Sequence, residues 1–328
     1  MSFSSDVKGE LSRIEPGKKC DMLAEISGFL RVSASLRLAG GGRFSIVAST
    51  ENPAIARHFK KLIKDYFGST AKLEVSGSQM PGRSRGSSYR YSLTISPEEK
   101  SSQILRETGL LLIREGNDYF SDGIYFPIVR TKCCKKAYLR GIFLGCGTIS
   151  NPLRSYHMEF VLSSPQAAQD LRKLIGSFVD LSANITQRKE ASVVYLKRAS
   201  YISDMLGIMG ASTAMMEFEN IHINRTARGE AQRMYNMDNA NMERALSAAE
   251  EQVRLIRLID QKIGLDNLSE PLRVVAQLRL EHPDAGLTEL GELLDPPVKK
   301  PAVSKRFTKL KELARKLEEE PDLQYEDK

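Results

Sequence analysis

Eight cations crowd between Lys299 and Lys316: Lys299, Lys300, Lys305, Arg306, Lys309, Lys311, Arg315 and Lys316, against the single acid Glu312. The chemistry that such a run suits is contact with phosphate oxygens, and the charge around it sharpens the point. Residues 219–328 hold 18 Lys/Arg against 21 Asp/Glu, so the run is a basic island in an acidic third, while residues 1–218 hold 30 against 20. A helical module gains nothing in stability from packing like charges together. A solvated basic face at the end of a bundle is the bland alternative.

Other groups able to do chemistry are sparse. Histidines 58, 157, 222 and 282 are scattered without a metal-binding spacing. Cys20, Cys133, Cys134 and Cys146 form no C-x-x-C pair, and adjacent Cys133 and Cys134 make a poor disulfide, so reduced and mostly buried thiols are expected, with no metal and no cofactor. The 328 residues carry a net charge of +7 with 41% hydrophobic residues, a globular balance with a mild nucleic-acid bias. No run approaches the roughly 18–20 apolar residues that cross a bilayer. The first residues lack the charged and apolar regions of a signal peptide, so a cytoplasmic protein with no membrane partner is expected.

These groups must be positioned by something, and an internal repeat at an offset of about 112–113 positions supplies the frame. Cys20–Leu30 and Cys134–Leu144 are both apolar at helical spacing; aligning Gly28 with Gly141 sets Ser33 opposite Cys146 and Arg31 opposite Leu144. A strand at Phe44–Val47 matches Met158–Leu162, and Asn52-Pro53 matches Ser164-Pro165, each pair able to open a helix. Helices follow at Ile55–Phe67 and Ala167–Phe178, then two strands in each half, then helices near Glu98–Leu112 and Ser200–Met209. Each half reads as helix, two strands, helix, two strands, helix. Gly28, Gly141 and Gly145 would let the first helices of the halves approach closely.

Leu139-Arg140-Gly141-Ile142-Phe143-Leu144-Gly145-Cys146-Gly147 resembles a degraded LAGLIDADG motif. In that homing-endonuclease family an acidic residue at the helix end of each half holds the divalent metal. Here those positions are Ser33 and Cys146, and neither supplies the carboxylate that a hard cation needs. The chemical part of the motif is lost and the packing part kept, so no catalytic residue is expected. Over almost its full length the chain resembles the WhiA-type bacterial regulators, through Met1–Leu11, Cys133–Gly141 and Asn224-Arg225. The resemblance implies a transcription factor acting in cell division, chromosome segregation or sporulation, associated with the nucleoid. The fold class expected is α+β: a pseudo-two-fold duplicated LAGLIDADG-like domain followed by an all-α helix-turn-helix domain. The parts are 1–125 and 126–218 for the two halves, 219–264 for a linker and long helix, and 265–328 for the helix-turn-helix.

In the last third, the polar segment Glu219–Met237 reads as a linker that either touches DNA phosphates or is simply solvated. A helix over Asn239–Ile263 carries a near-heptad stripe of Met242, Leu246, Ala249, Val253, Ile256 and Ile263. Ser269 caps a helix over Glu270–Glu281; Leu287–Leu294 is a two-turn helix; Pro301 opens a helix over about Ala302–Glu319 with Val303, Phe307, Leu310, Leu313, Ala314 and Leu317 inward. Short helix, turn and basic helix fit a helix-turn-helix spanning about Leu287–Glu319. Ser304 and Lys305 are expected at base edges, Lys300 and Arg306 at bases or phosphates, Lys299 and Lys309 at the backbone. Arg83, Arg85, Arg90, Arg225 and Arg228 are additional candidates for contact with double-stranded DNA. Two alternatives stand beside this reading. One is a scaffold that recruits a second transcription regulator or RNA polymerase. The other is a metal-dependent nuclease using Glu51 or Asp122 as a substitute acid.

Overall fold

The structure, a computed structural model, describes residues 2–78 and 88–319. The chain divides into two compact units, Met1–Thr226 and Ala227–Lys328.

The first unit opens with α1 (Phe3–Leu11), capped by the Ser2 hydroxyl. Its first half follows as α2 (Lys19–Ser33), β1 (Ala34–Leu38), β2 (Phe44–Thr50), α3 (Pro53–Phe67), β3 (Lys72–Ser78), β4 (Ser88–Ile95) and α4 (Ser101–Glu107). A hairpin of β5 (Leu111–Arg114) and β6 (Asn117–Phe120) comes next. The second half repeats the order: α5 (Lys132–Cys146), β7 (Gly147–Ile149), β8 (Met158–Leu162), α6 (Pro165–Ile175), β9 (Asn184–Arg188), β10 (Ala191–Leu196) and α7 (Ala199–Met209). The two antiparallel sheets have the same topology, β1-β2-β4-β3 and β7-β8-β10-β9. The paired openings work as the sequence implies: Asn52 accepts from the Ala54 amide and Ser164 from the Ala167 amide, each ahead of a proline in the first turn.

Two expectations need correction here. The helix expected near Glu98–Leu112 stops at Glu107, because Gly109 takes a positive φ of 69° and the chain turns into the β5–β6 hairpin. Of the cysteines, only Cys134 is buried; Cys20 is exposed and Cys133 and Cys146 are half-buried.

The core sits where α2 packs along α5. A Cβ on Gly28 would overlap the Tyr138 carbonyl oxygen, and one on Gly141 would overlap the Glu25 carbonyl oxygen, so the two backbones meet with no side chain between them. Phe29 stacks on Phe59 of α3 at 3.7 Å between centroids, and Phe143 meets Phe160 of β8 edge-on. Each sheet turns alternate residues inward, Ile46, Ala48, Leu93 and Ile95 in one and Met158, Phe160, Val194 and Leu196 in the other.

The helix α8 (Ser212–Ile263) starts in the first unit and ends in the second. Its first turn is capped by Glu10 of α1, whose carboxylate accepts from the Thr213 and Ala214 amides. The segment Glu219–Met237, expected as a linker, is therefore helical throughout. It contains no proline, and Gly229 alone costs only about 1 kcal/mol relative to alanine.

In the second unit the C-terminal turns of α8 pack on α9 (Glu270–Glu281), α10 (Leu287–Glu292) and α11 (Lys300–Glu319). The inward face of α11 is the expected one: Val303, Phe307, Leu310 and Ala314 are buried, with Leu313 and Leu317 at the margin. The stripe expected on α8 is only half used. Ala249 and Ile256 are buried, but Met242 and Leu246 are exposed, at 68% and 47%. Among the described residues, no helix is long and apolar enough to cross a membrane.

Candidate nucleic-acid interface

Two places bear on function, one in each unit. In the first, the C-terminal ends of α2 and α5 carry Ser33 and Cys146. The Ser33 hydroxyl donates to the Phe29 carbonyl at 2.6 Å, an intrahelical bond that uses its proton. Burial pushes the Cys146 thiol up to about 12, so it stays protonated at neutral pH. Beside it lies Lys8 of α1, half-buried, its pKa lowered by burial against the opposing pull of Cys146 and Glu51. Its ammonium also sits 5.9 Å from the Phe143 ring centroid. At the earlier motif position Arg31 spends its guanidinium on the carbonyls of Ser121 and Gly109.

Of these residues, Lys8 and Ser33 line a cleft of about 1240 Å³, whose walls also include Glu51, Arg90 and Gly145; Cys146 and Arg31 do not line it. Glu51 does reach it; Asp122 does not line it. Among the described residues, no three His, Cys, Asp or Glu ligand atoms gather around this cleft within reach of one cation. The outward faces of the two sheets differ. Arg90 of β4 is exposed beside Ser76 of β3, while in the second sheet Glu159 pairs with Arg188 and His157. Arg83 and Arg85 lie outside the described residues.

Sequence reasoning missed a polar knot between α2, α3 and α5. Glu25, fully buried on α2, accepts from Arg140 of α5 at 2.6 Å and lies 2.8 Å from His58 of α3. Arg140 also donates to the Met209 carbonyl, closing α7 onto the same knot. The available signal was a charged residue inside each apolar run.

In the second unit, α10, the turn and α11 are locked by the Val298 amide donating to the Gly291 carbonyl. A Cβ on Gly291 would collide with that Val298 carbonyl, so the turn needs glycine for close approach. Buried Arg279 of α9 donates to the carbonyls of His282, Pro283 and Ala285 and lies 5.3 Å from the Phe307 ring centroid. With that support α11 presents its other side outward. Lys299, Lys300, Ser304, Lys305 and Lys309 are exposed and Arg306 is half-buried. Lys305, Lys309 and Lys316 recur at intervals of four and seven, a single stripe opposite the buried one. Lys311 is drawn off this face into an ion pair with Glu251 at 2.8 Å.

The family models describe this chain in three consecutive pieces: the WhiA N-terminal LAGLIDADG-like domain over residues 19–111, the WhiA LAGLIDADG-like domain over 135–228 and the WhiA C-terminal HTH domain over 231–314. The chain belongs to the WhiA family. Among its relatives is the "Probable cell division protein WhiA" of Clostridium perfringens, 41% identical over 317 residues, covering 97% of this chain and 98% of the relative. That of Alkaliphilus metalliredigens is 38% identical over 316 residues, covering 96% and 98%. The crystal structure of full-length WhiA from Thermotoga maritima matches the fold with a TM-score of 0.58 at 24% identity, over 96% of this chain and 99% of that one. A WhiA chain thus joins LAGLIDADG-like halves to a helix-turn-helix.

The other candidate arginines fare unevenly. Arg225 is held by the Pro152 carbonyl and stacks 4.6 Å from the Tyr156 ring centroid, so its guanidinium is already engaged within the first unit. Arg228, one turn further along α8, is exposed.

Proposed function

We propose that this WhiA chain is a sequence-specific DNA-binding transcription regulator acting in cell division, chromosome segregation or sporulation, at the cytoplasmic nucleoid. Its helix-turn-helix is the reading element, and its LAGLIDADG-like unit has no nuclease activity. The observation that carries the first part is the exposed stripe on α11. Among the described residues, Lys299, Lys300, Lys305, Arg306 and Lys309 engage no acidic side chain, although the surrounding unit is rich in acids. A long side chain held outward without a partner is free to meet a phosphate or a guanine edge. Ser304 and Lys305, near the N-terminus of α11, are assigned to bases, Lys300 and Arg306 to bases or phosphates, and Lys299 and Lys309 to the backbone. Arg90 and Arg228 add phosphate attraction without reading sequence.

The second part rests on the helix ends of the first unit. A spent hydroxyl, a protonated thiol and the Lys8 ammonium occupy the region where hydrolysis would need two carboxylates and a dication. One carboxylate, Glu51, cannot replace that set, and the lysine beside it competes for its charge.

The test is one preparation with two assays. Lys305→Ala/Arg306→Ala should weaken binding to the chain's own promoter sites at least about tenfold while its circular dichroism is unchanged, and Lys309→Ala should reduce the slope of log affinity against log salt by roughly one. Incubated with supercoiled plasmid and Mg²⁺, the unaltered chain should leave it intact. Undiminished promoter binding by the double variant would remove the first assignment, and magnesium-dependent nicking that vanishes in Glu51→Gln would remove the second.

A further inference from the structure

The N-terminal ends of α2 and α5 hold an arrangement unrelated to the DNA-facing surfaces. The first turn of α2 carries Cys20 and Asp21, and the first turn of α5 carries Cys133 and Cys134. At the repeat offset that aligns Gly28 with Gly141, Cys20 corresponds to Cys133 and Asp21 to Cys134. The pseudo-dyad relating the halves brings the two pairs together. One donor atom from each of the four residues lies within 4.8 Å of every other.

From this quartet we infer a zinc-class metal site clamping the two halves of the LAGLIDADG-like unit, with three thiolates and one carboxylate as its ligands. The geometry suits it. Tetrahedral zinc with sulfur at about 2.3 Å needs ligand atoms roughly 3.8 Å apart, a contraction of about 1 Å at most. A tetrahedron accommodates a two-fold axis, so two donors from each half fit without breaking the symmetry. The donor set chooses the ion: thiolates favour zinc over magnesium or calcium, which take oxygen.

Burial pushes the free Cys134 thiol up to about 12, so the ion must displace its proton on binding, and the surroundings offset the ligands' charge once the ion is in place. Two helix N-termini converge here, and their positive ends repel unless anions stand between them. Four anionic ligands around a dication leave a charge of about −2, and five lysines flank the site in sequence at 18, 19, 132, 135 and 136. The Thr131 hydroxyl, which caps α5 by accepting from the Cys134 amide, lies 2.9 Å from the Cys134 sulfur and 3.2 Å from that of Cys133, placed to donate to a coordinated thiolate. Cys20 is exposed, which gives an ion a way in. Linear spacing hid the site because its two pairs lie more than a hundred residues apart.

The full-length chain, purified under reductant and stripped with chelator, should take up one equivalent of Co²⁺ with a thiolate-to-cobalt charge-transfer band and tetrahedral visible bands, both abolished by stoichiometric Zn²⁺. Cys20→Ser, an exposed change that leaves the core intact, should weaken metal binding at least about 100-fold, beyond the range for losing an outer-shell partner. Cys134→Ser should do the same, and if it fails to fold, Cys20→Ser alone decides. The inference is overturned by absence of the thiolate band, by a band that Cys20→Ser leaves unchanged, or by a metal-free chain in which Cys20 is found disulfide-bonded to Cys133 or Cys134.

Discussion

At the scale of single residues, the centre of the first unit holds a carboxylate removed from solvent. Glu25 is fully buried and holds two partners, Arg140 and His58, from two other helices. Such a knot contributes little to net stability while intact, because removing the ions from water costs about as much as their attraction returns. Its loss is another matter. Arg140→Met leaves the Glu25 carboxylate buried beside His58 alone and the Met209 carbonyl without its donor. The change should destabilise the first unit by about 3–5 kcal/mol in urea titration, the range for breaking a buried pair. Replacing Glu25 and Arg140 together by Gln and Met should cost less than the sum of the single changes. Equal, additive losses would show that the two side chains do not act through each other.

Among elements, the close crossing of α2 and α5 carries the fold, and glycine makes it possible. At Gly141 an added methyl group meets the Glu25 backbone, which cannot swing aside as a side chain could. Gly141→Ala should therefore cost more than the usual 1–3 kcal/mol of overpacking, read as a lowered denaturation midpoint. Gly9→Ala, where a Cβ meets nothing within 4 Å on helix α1, should be neutral or slightly stabilising. A Gly141→Ala chain as stable as the parent would mean the helices can part without loss. The same logic of faces governs α11, where one stripe is buried by packing and the opposite stripe of lysines faces outward.

For the whole molecule, the two units have separate cores, one built on α2 and α5 and the other on the end of α8 with α9, α10 and α11. Chains of this kind need not unfold in one step. Calorimetry should resolve two transitions. Leu310→Ala, a buried truncation expected to cost about 2–5 kcal/mol, should lower only one of them, by roughly 4–8 °C per kcal/mol for a unit of this size. A single transition that moves as a whole would show that α8 couples the units into one cooperative body.

What is local or repeated could be read from residue order alone. The order of strands and helices in each half follows from hydrophobic period and from caps such as Asn52 and Ser164. The inward stripe of α11 is a matter of 3.6-residue spacing. The lack of acids at Ser33 and Cys146 needed only the alignment of one half on the other. Where local pattern is ambiguous, neighbours decide the outcome. Residues 219–237 are mostly polar, with hydrophobics such as Ile223 and Met234 left exposed, which suits a linker and a solvated helix equally, and the helix is started upstream by Glu10. Which distant polar groups become neighbours depends on how the elements pack. Glu25 finds Arg140 115 positions away, Cys20 comes to lie beside Cys133 and Cys134, and Lys8 settles by Cys146. Periodicity says which face of a helix turns inward, but a partner is chosen by how two faces meet. Here that meeting is fixed by bare backbone at Gly28 and Gly141; the glycines mark the close approach in the sequence, but not which distant side chains it brings together.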